Sequence, residues 1–174
     1  MGPVCGENIT FFAHRINKLY VCDVFLRLHR AQRSGQPPSL VLQYLDYPPE
    51  SFDGVLLWDL IDHFDNEEAG RLVERCFPMV KLGGVVMVLA LEEGAVSPVV
   101  NSFVIMDRFR VYLRPQYHLD LPFYSRQNRE VLEAFGPFTL AKSFIYRNGL
   151  REFLFQRLAT SEQGASTLLS YKAV

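Results

Sequence analysis

The sequence predicts an α/β fold: a mostly parallel sheet covered by helices, closed by a C-terminal antiparallel hairpin. Three observations carry that expectation. Residues 51–92 read as strand, helix, strand. Both strands there, 52–58 and 85–91, are continuous apolar runs, the pattern of strands buried on both faces. Near the C-terminus, Arg147-Asn148-Gly149 separates two β-prone runs, and Asn-Gly in that setting is a strong hairpin signal.

The elements follow in order. Residues 2–8 form a small, turn-prone opening, and 9–16 a short helix that Asn8 can cap. Residues 18–24 (KLYVCDV) read as a strand ending in an acid, Asp23. Residues 25–33 form an amphipathic helix, with Phe25, Leu26 and Leu28 set against Arg27, Arg30 and Arg33. A turn-rich break at 34–38 leads to a β-prone run at 39–45, and Tyr47-Pro48-Pro49 forces an extended entry to the next strand. Residues 52–58 are too short for a core helix and long enough for a buried strand. Asp65 then caps a helix, with Glu68 in the capping-box position and Leu72, Val73, Cys76 and Phe77 at helical spacing. Pro78 and Gly83-Gly84 are expected to end that segment before the strand at 85–91. Residues 94–122 lack clear periodicity and mix Phe103, Arg108, Phe109, Arg110, Tyr112, Arg114, Tyr117 and His118. Ser125 is expected to cap a helix reaching about residue 135, and the runs 138–146 and 151–158 form the hairpin. The polar stretch 159–174 reads as a flexible tail after a single domain spanning 1–158.

Composition narrows the function classes. The chain has 174 residues, 49% of them hydrophobic, enough for one domain with a sizeable core. A net charge of −1 gives no field favouring nucleic acid or an anionic membrane. Cys5, Cys22 and Cys76 are odd in number and widely spaced, supporting neither a disulfide framework nor a zinc site; a reducing cytoplasm fits them best. No two histidines have metal-ligand spacing, so no metal is expected. No apolar run reaches the roughly 18 residues of a transmembrane helix, and no secretory signal pattern opens the chain. Ligands of parallel sheets bind beyond the strand C-termini. Asp59 and Asp62 fall just past the first strand and Glu92 and Glu93 just past the second, where acids hold hydroxyls or a cation, or are simply solvated.

At this point the residues resemble the class I S-adenosylmethionine-dependent methyltransferases. Residues 45–53 (LDYPPESFD) resemble the family's LPFPDESFD segment, and 55–64 (VLLWDLIDHF) the strand and loop that follow it. Residues 79–84 (MVKLGG) resemble the LKPGG turn, with Leu82 in the place of proline. The terminal hairpin matches the family's sixth and seventh strands, and the resemblance covers residues 2–158. It implies a Rossmann-like three-layer sandwich, S-adenosylmethionine as cofactor, and methyl transfer to a small-molecule or macromolecular acceptor. Against the family's G-x-G-x-G-like loop, MGPVCGENI places Gly2 on the first glycine, Val4 on the second and Gly6 on the third. The family's first strand, which lies between its second and fourth, has no counterpart, so the resemblance leads to the expectation of an N-terminally incomplete copy. The rival is a chain rearranged to close the gap.

The resemblance also implies site residues. Asp23 corresponds to the acid that grips the cofactor's ribose hydroxyls. Asp59 lies where the active-site floor begins, and Leu60 would pack against the adenine or methionine portion. Val41 falls where an acid commonly meets the adenine amino group, leaving adenine to packing, backbone groups or Gln43. Asp62 and His63 resemble the family's Glu-His pair, which makes His63 one candidate base; His118, in the long loop with Tyr117 and Tyr124, is the other. His14 and His29 read as surface residues. Residues 94–122, with Arg108, Arg110 and Arg114 alternating with apolar neighbours, read as a solvated basic face or as an acceptor lid for anionic or aromatic substrates. A non-catalytic binding or scaffold protein, or an inactive truncated fragment, are the alternatives to an enzyme.

Overall fold

The computed structural model describes residues 1–92, 99–106 and 110–159. The strand, helix and strand expected over residues 51–92 form. Strand β1 (Phe52–Leu56) leads through a short 3₁₀ turn (Leu60–His63) into helix α3 (Asn66–Met79) and strand β2 (Val80–Leu91). Helix α3 starts where its capping box dictates: the Asp65 carboxylate accepts the Glu68 amide at 2.8 Å, and the Glu68 carboxylate accepts the Asp65 amide at 3.3 Å. Ala69, Leu72, Val73, Cys76 and Met79 form its buried stripe.

The end of α3 departs from expectation. The helix passes Pro78 by one residue, and Gly83-Gly84 lies within β2 rather than before it. Gly83 takes a φ of +79°, and the β1–β2 register slips between the pairs Phe52↔Val80 and Gly54↔Val85. A Cβ on Gly84 would lie 3.0 Å from the Asp53 carbonyl oxygen, so glycine permits the close approach of the two strands.

The main sheet has the order β1-β2-β6-β5, where β5 is Thr139–Ile145 and β6 is Leu150–Gln156. Strands β1 and β2 are parallel, and β6 runs antiparallel to β2 from Val85↔Gln156 to Leu91↔Leu150. Strands β5 and β6 form the expected hairpin, with Gly149 at φ +78°. Strands β3 (Asn101–Ile105) and β4 (Val111–Pro115) make a separate antiparallel pair within the stretch expected to lack periodicity.

Two segments expected as further strands do not join the sheet. Residues 18–23 belong to no strand or helix, and 39–45 fold instead as a 3₁₀ segment, Pro38–Tyr44. A strand needs a ladder partner for its backbone groups, whereas a 3₁₀ turn satisfies them locally. Two helix starts also move. Helix α1 is Gly6–Ala13 with Cys5 at its N-cap, so Asn8 lies inside it. Helix α4 is Asn128–Ala134, opened by a capping box of Gln127 and Glu130 rather than by Ser125. Helix α2 (Val24–Arg33) forms as expected behind Asp23. The expected tail lies outside the described residues from 160 onward. Among the described residues no helix is long and apolar enough to cross a membrane.

The core lies on both faces of β2. Val86, Val88 and Ala90 join the larger cluster with Phe25, Leu57, Leu72, Phe135 and Phe155. Leu89 and Leu91 turn to the other face and pack with Trp58, Phe103 and Leu150. Replacing Leu72, fully buried in the larger cluster, with alanine is expected to cost about 2–5 kcal/mol. Replacing Asp65 with alanine is expected to cost about 1 kcal/mol, the worth of a helix cap. Urea unfolding followed by far-ultraviolet circular dichroism checks both values and their order.

Candidate active site

The turn after β1 carries the densest group of buried charge. Trp58 holds a left-handed φ of +44°, costly for a side chain of this size. Flanking contacts hold it there: the Trp58 carbonyl accepts the Leu89 amide at 2.8 Å, and the indole stacks on Phe103 with centroids 5.4 Å apart. The next residue, Asp59, is fully buried, and neither carboxylate oxygen has a hydrogen-bond partner. His63 Nε2 lies 3.9 Å from Asp59 Oδ2, close enough for charge attraction and too far for a hydrogen bond. His63 Nδ1 is 2.8 Å from the Pro122 carbonyl oxygen, so Nδ1 carries the proton and donates it. Asp62 Oδ2 accepts the Leu91 amide at 2.7 Å, while its Oδ1 is unpartnered.

These contacts tie three parts of the chain together. Asp62 reaches the end of β2 through its side chain, and its carbonyl accepts the Tyr124 amide at 2.7 Å. Arg126 is buried and donates to the Ile61 and Phe64 carbonyls, so the approach to α4 is clamped to the same turn. Burial pushes the Asp62 carboxyl up to about 7, and the Asp59 charge adds to the rise. For His63, burial opposes protonation, but the facing Asp59 carboxylate outweighs it and the imidazole is raised.

The N-terminal glycine segment meets Asp23. The Val4 amide donates to Asp23 Oδ2 at 3.3 Å, and the Gly2 amide to the Cys22 carbonyl at 3.3 Å. Asp23 Oδ1 accepts the Leu26 amide at 2.9 Å and so caps α2. Val4 is 57% exposed and turns outward. Gly6 opens α1 with free space around its Cβ position, and no side chain caps that helix. Gly2 is different: a Cβ there would lie 2.3 Å from the Trp58 ring. Of Gly2, Gly6, Asp23, Asp59 and Leu60, Asp23 alone lines the cavity of about 260 Å³ formed with Val21, Cys22, Leu26, Arg27, Arg30, Tyr44 and Tyr47. Asp59 and Leu60 are sealed below the surface, and Val41 is buried.

The β3–β4 pair covers this end of the sheet. Asn8 holds it to α1, donating to the Phe103 carbonyl at 2.7 Å and accepting the Ile105 amide at 2.8 Å. Arg114 pairs with Glu7 at 2.5 Å. His118 is exposed on the loop after β4, as are its neighbour Tyr117 and, on β4, Tyr112. Glu93, Arg108 and Phe109 lie outside the described residues. The docking role of Asn8 and the clamp of Arg126 were missed in the sequence. Their partners are backbone groups far along the chain, and no local pattern marks them.

No protein-family model and no curated protein matches the chain. Solved structures do resemble it. The 1,6-didemethyltoxoflavin-N1-methyltransferase of Burkholderia thailandensis, solved with 1,6-didemethyltoxoflavin and S-adenosylhomocysteine, is 18% identical, with a TM-score of 0.52 over 88% of this chain and 67% of that one. An S-adenosylmethionine-dependent methyltransferase from Mesorhizobium loti is 14% identical, with a TM-score of 0.47 over 67% of each chain. One from Methanosarcina mazei is 13% identical, with a TM-score of 0.42 over 65% of this chain and 62% of its own. The chain thus spans about three fifths of the Methanosarcina structure's length. The fold is the Rossmann-like α/β fold of class I methyltransferases.

Asp62 and His63 set a pH dependence. Both hold a proton more tightly folded than unfolded, so their contribution to stability is greatest at low pH. For Asp62 it is complete below the ordinary carboxyl value of 3.8 and is lost as pH rises through about 7. Raised His63 acts in the same sense, its contribution fading above 6.5. Asp62→Asn keeps an acceptor for the Leu91 amide without the charge. Its stability relative to wild type is therefore expected to improve steadily from pH 4 to pH 8, measured by urea unfolding at each pH.

Proposed function

We propose that this chain is an S-adenosylmethionine-dependent methyltransferase domain that passes a methyl group by direct displacement to a small-molecule or macromolecular acceptor. The observation that carries this reading is the meeting of the glycine segment with Asp23 at the opening of α1, on a methyltransferase fold. The residues there suit such a cofactor. The Asp23 carboxylate spends one contact on α2 and one on Val4, and its remaining lone pairs can accept ribose hydroxyls. The first-turn amides of α1 lack a capping side chain and are suited to a carboxylate. When bound, the cofactor supplies a methyl group already activated by its sulfonium.

The protein's part is then alignment and exclusion of water. A base is needed only for an acceptor that must lose a proton. His63 is committed to Pro122 and faces Asp59, while His118 stands in solvent. The β3–β4 pair, with Tyr112 and Arg114 exposed, is the segment placed to cover an acceptor.

A specific observation favours a second reading, a methyltransferase-like binding or scaffold protein without turnover. Gly2 lies so near Trp58 that a Cβ would clash with the indole, and Asp59 and Leu60 are fully buried, so the residues expected at the floor of the site do not reach the surface. Calorimetric titration with S-adenosylmethionine and S-adenosylhomocysteine separates the two. Saturable binding is expected under the first reading, and no binding of either leaves only the second. Asp23→Asn keeps a good helix cap but loses the charge. It is expected to weaken binding by about tenfold with little change in melting temperature.

A further inference from the structure

We infer that the chain pairs with a second copy of itself along the open edge of β5, joining two four-stranded sheets into one across a two-fold axis at Phe144. Strand β5 ends the sheet order β1-β2-β6-β5, and no strand of the described residues lies beyond it. Residues 140–148 are all exposed. Phe144, Ile145 and Tyr146 follow one another at 52%, 66% and 45% exposure, a run of large apolar groups on a free edge. The opposite edge of the sheet is covered. There Tyr20 and Tyr47 pack on Phe52 of β1 with ring centroids 5.3 and 4.9 Å away, and the Met1 amine donates to the Leu56 carbonyl.

The ladder with β6 fixes which groups of β5 point outward. The Tyr146 amide donates to the Leu150 carbonyl at 2.8 Å, so Tyr146 faces β6. The register runs unbroken from there through Phe144↔Glu152 to Lys142↔Leu154. Hydrogen bonding alternates along an antiparallel strand, so Phe144 and Lys142 also face β6, and the N–H and C=O of Ser143 and Ile145 point away. The register slips between Leu140 and Lys142, which confines the regular outer edge to residues 142–146. A two-fold axis at Phe144 matches this stretch to itself. Ser143 meets Ile145 of the second copy, and Ile145 its Ser143, each pair exchanging both backbone hydrogen bonds. The two Phe144 rings face each other in the closer, non-hydrogen-bonded position, with Cα atoms about 4.5 Å apart. Lys142 meets Tyr146 of the second copy, a side chain whose hydroxyl donates to Glu152 at 2.7 Å. Among the described residues, neither Lys142 nor Glu152 forms an ion pair within its own chain. The axis keeps the two lysines apart and turns each ammonium toward the other copy's carboxylate, a charge match that selects a second copy as the occupant.

The test is sedimentation equilibrium of the full chain across the micromolar range, with amide hydrogen exchange in parallel. A monomer–dimer equilibrium with a Kd on the order of 10 μM is expected, since one pair of short strands makes a small interface. On dilution the Ser143 and Ile145 amides are expected to lose protection, while those of Phe144 and Tyr146, bonded to β6, keep it. Phe144→Lys sets two like charges together at the axis and is expected to weaken the dimer by about tenfold or more, with the circular dichroism of wild type because the side chain is exposed. Lys142→Glu is expected to weaken it by about threefold, and Lys142→Glu/Glu152→Lys to restore it. A chain monomeric at every concentration, its edge left to an extended segment of another protein, overturns the proposal. So does mass growing beyond two copies, which marks β5 pairing with β1, or a dimer that Phe144→Lys leaves unchanged. Protection of Ser143 and Ile145 that ignores concentration overturns it without any variant. None of these readouts involves S-adenosylmethionine, so methyl transfer stands or falls separately.

Discussion

Everything in this fold is arranged around β2. It takes a parallel neighbour, β1, on one edge and an antiparallel one, β6, on the other. Its side chains alternate between two hydrophobic clusters, with Val86, Val88 and Ala90 on one face and Leu89 and Leu91 on the other. A strand buried on both faces must be apolar at every position, which is why its sequence does not alternate. Its last amide, at Leu91, is held by a buried carboxylate, so the sheet and the charged turn are one unit.

That turn carries a cost that the rest of the fold must offset. Asp59 is buried with both oxygens unpartnered, and Trp58 before it holds an unfavourable backbone angle. Buried polar groups without partners are destabilising, and concentrations of them mark places where something beyond folding has shaped the chain. Here the compensation is visible. Trp58 stacks on Phe103, Arg126 satisfies two turn carbonyls, and His63 faces Asp59 while donating to Pro122. The same contacts bind the turn to the loop before α4 and to the covering β3–β4 pair, so a change at the strand end is felt at its cover.

Asp23 joins the N-terminal segment to α2. On one side Asp23 meets the glycine segment and the uncapped start of α1, suited to hydroxyls and a carboxylate. On the other, its second carboxylate oxygen caps α2 through the Leu26 amide, and Arg27 of that helix stacks on Tyr44.

The sequence by itself determined what depends on neighbours along the chain. The Asp65 and Glu68 capping box starts α3, the continuous apolar runs make buried strands, and Asn148-Gly149 turns the final hairpin. Each is decided within a few residues. The contact of the glycine segment with Asp23 was legible only as an order of motifs, since nothing local in MGPVCGENI requires it. What tertiary structure decided are the features that need a distant partner. Residues 18–23 have strand composition and no ladder, and 39–45 turn into a 3₁₀ segment, because β propensity is realised only beside another strand. Asn8 docks β3, Arg126 clamps Ile61 and Phe64, and Asp59 lies buried, through contacts across 62 to 97 residues or through burial that no local pattern records.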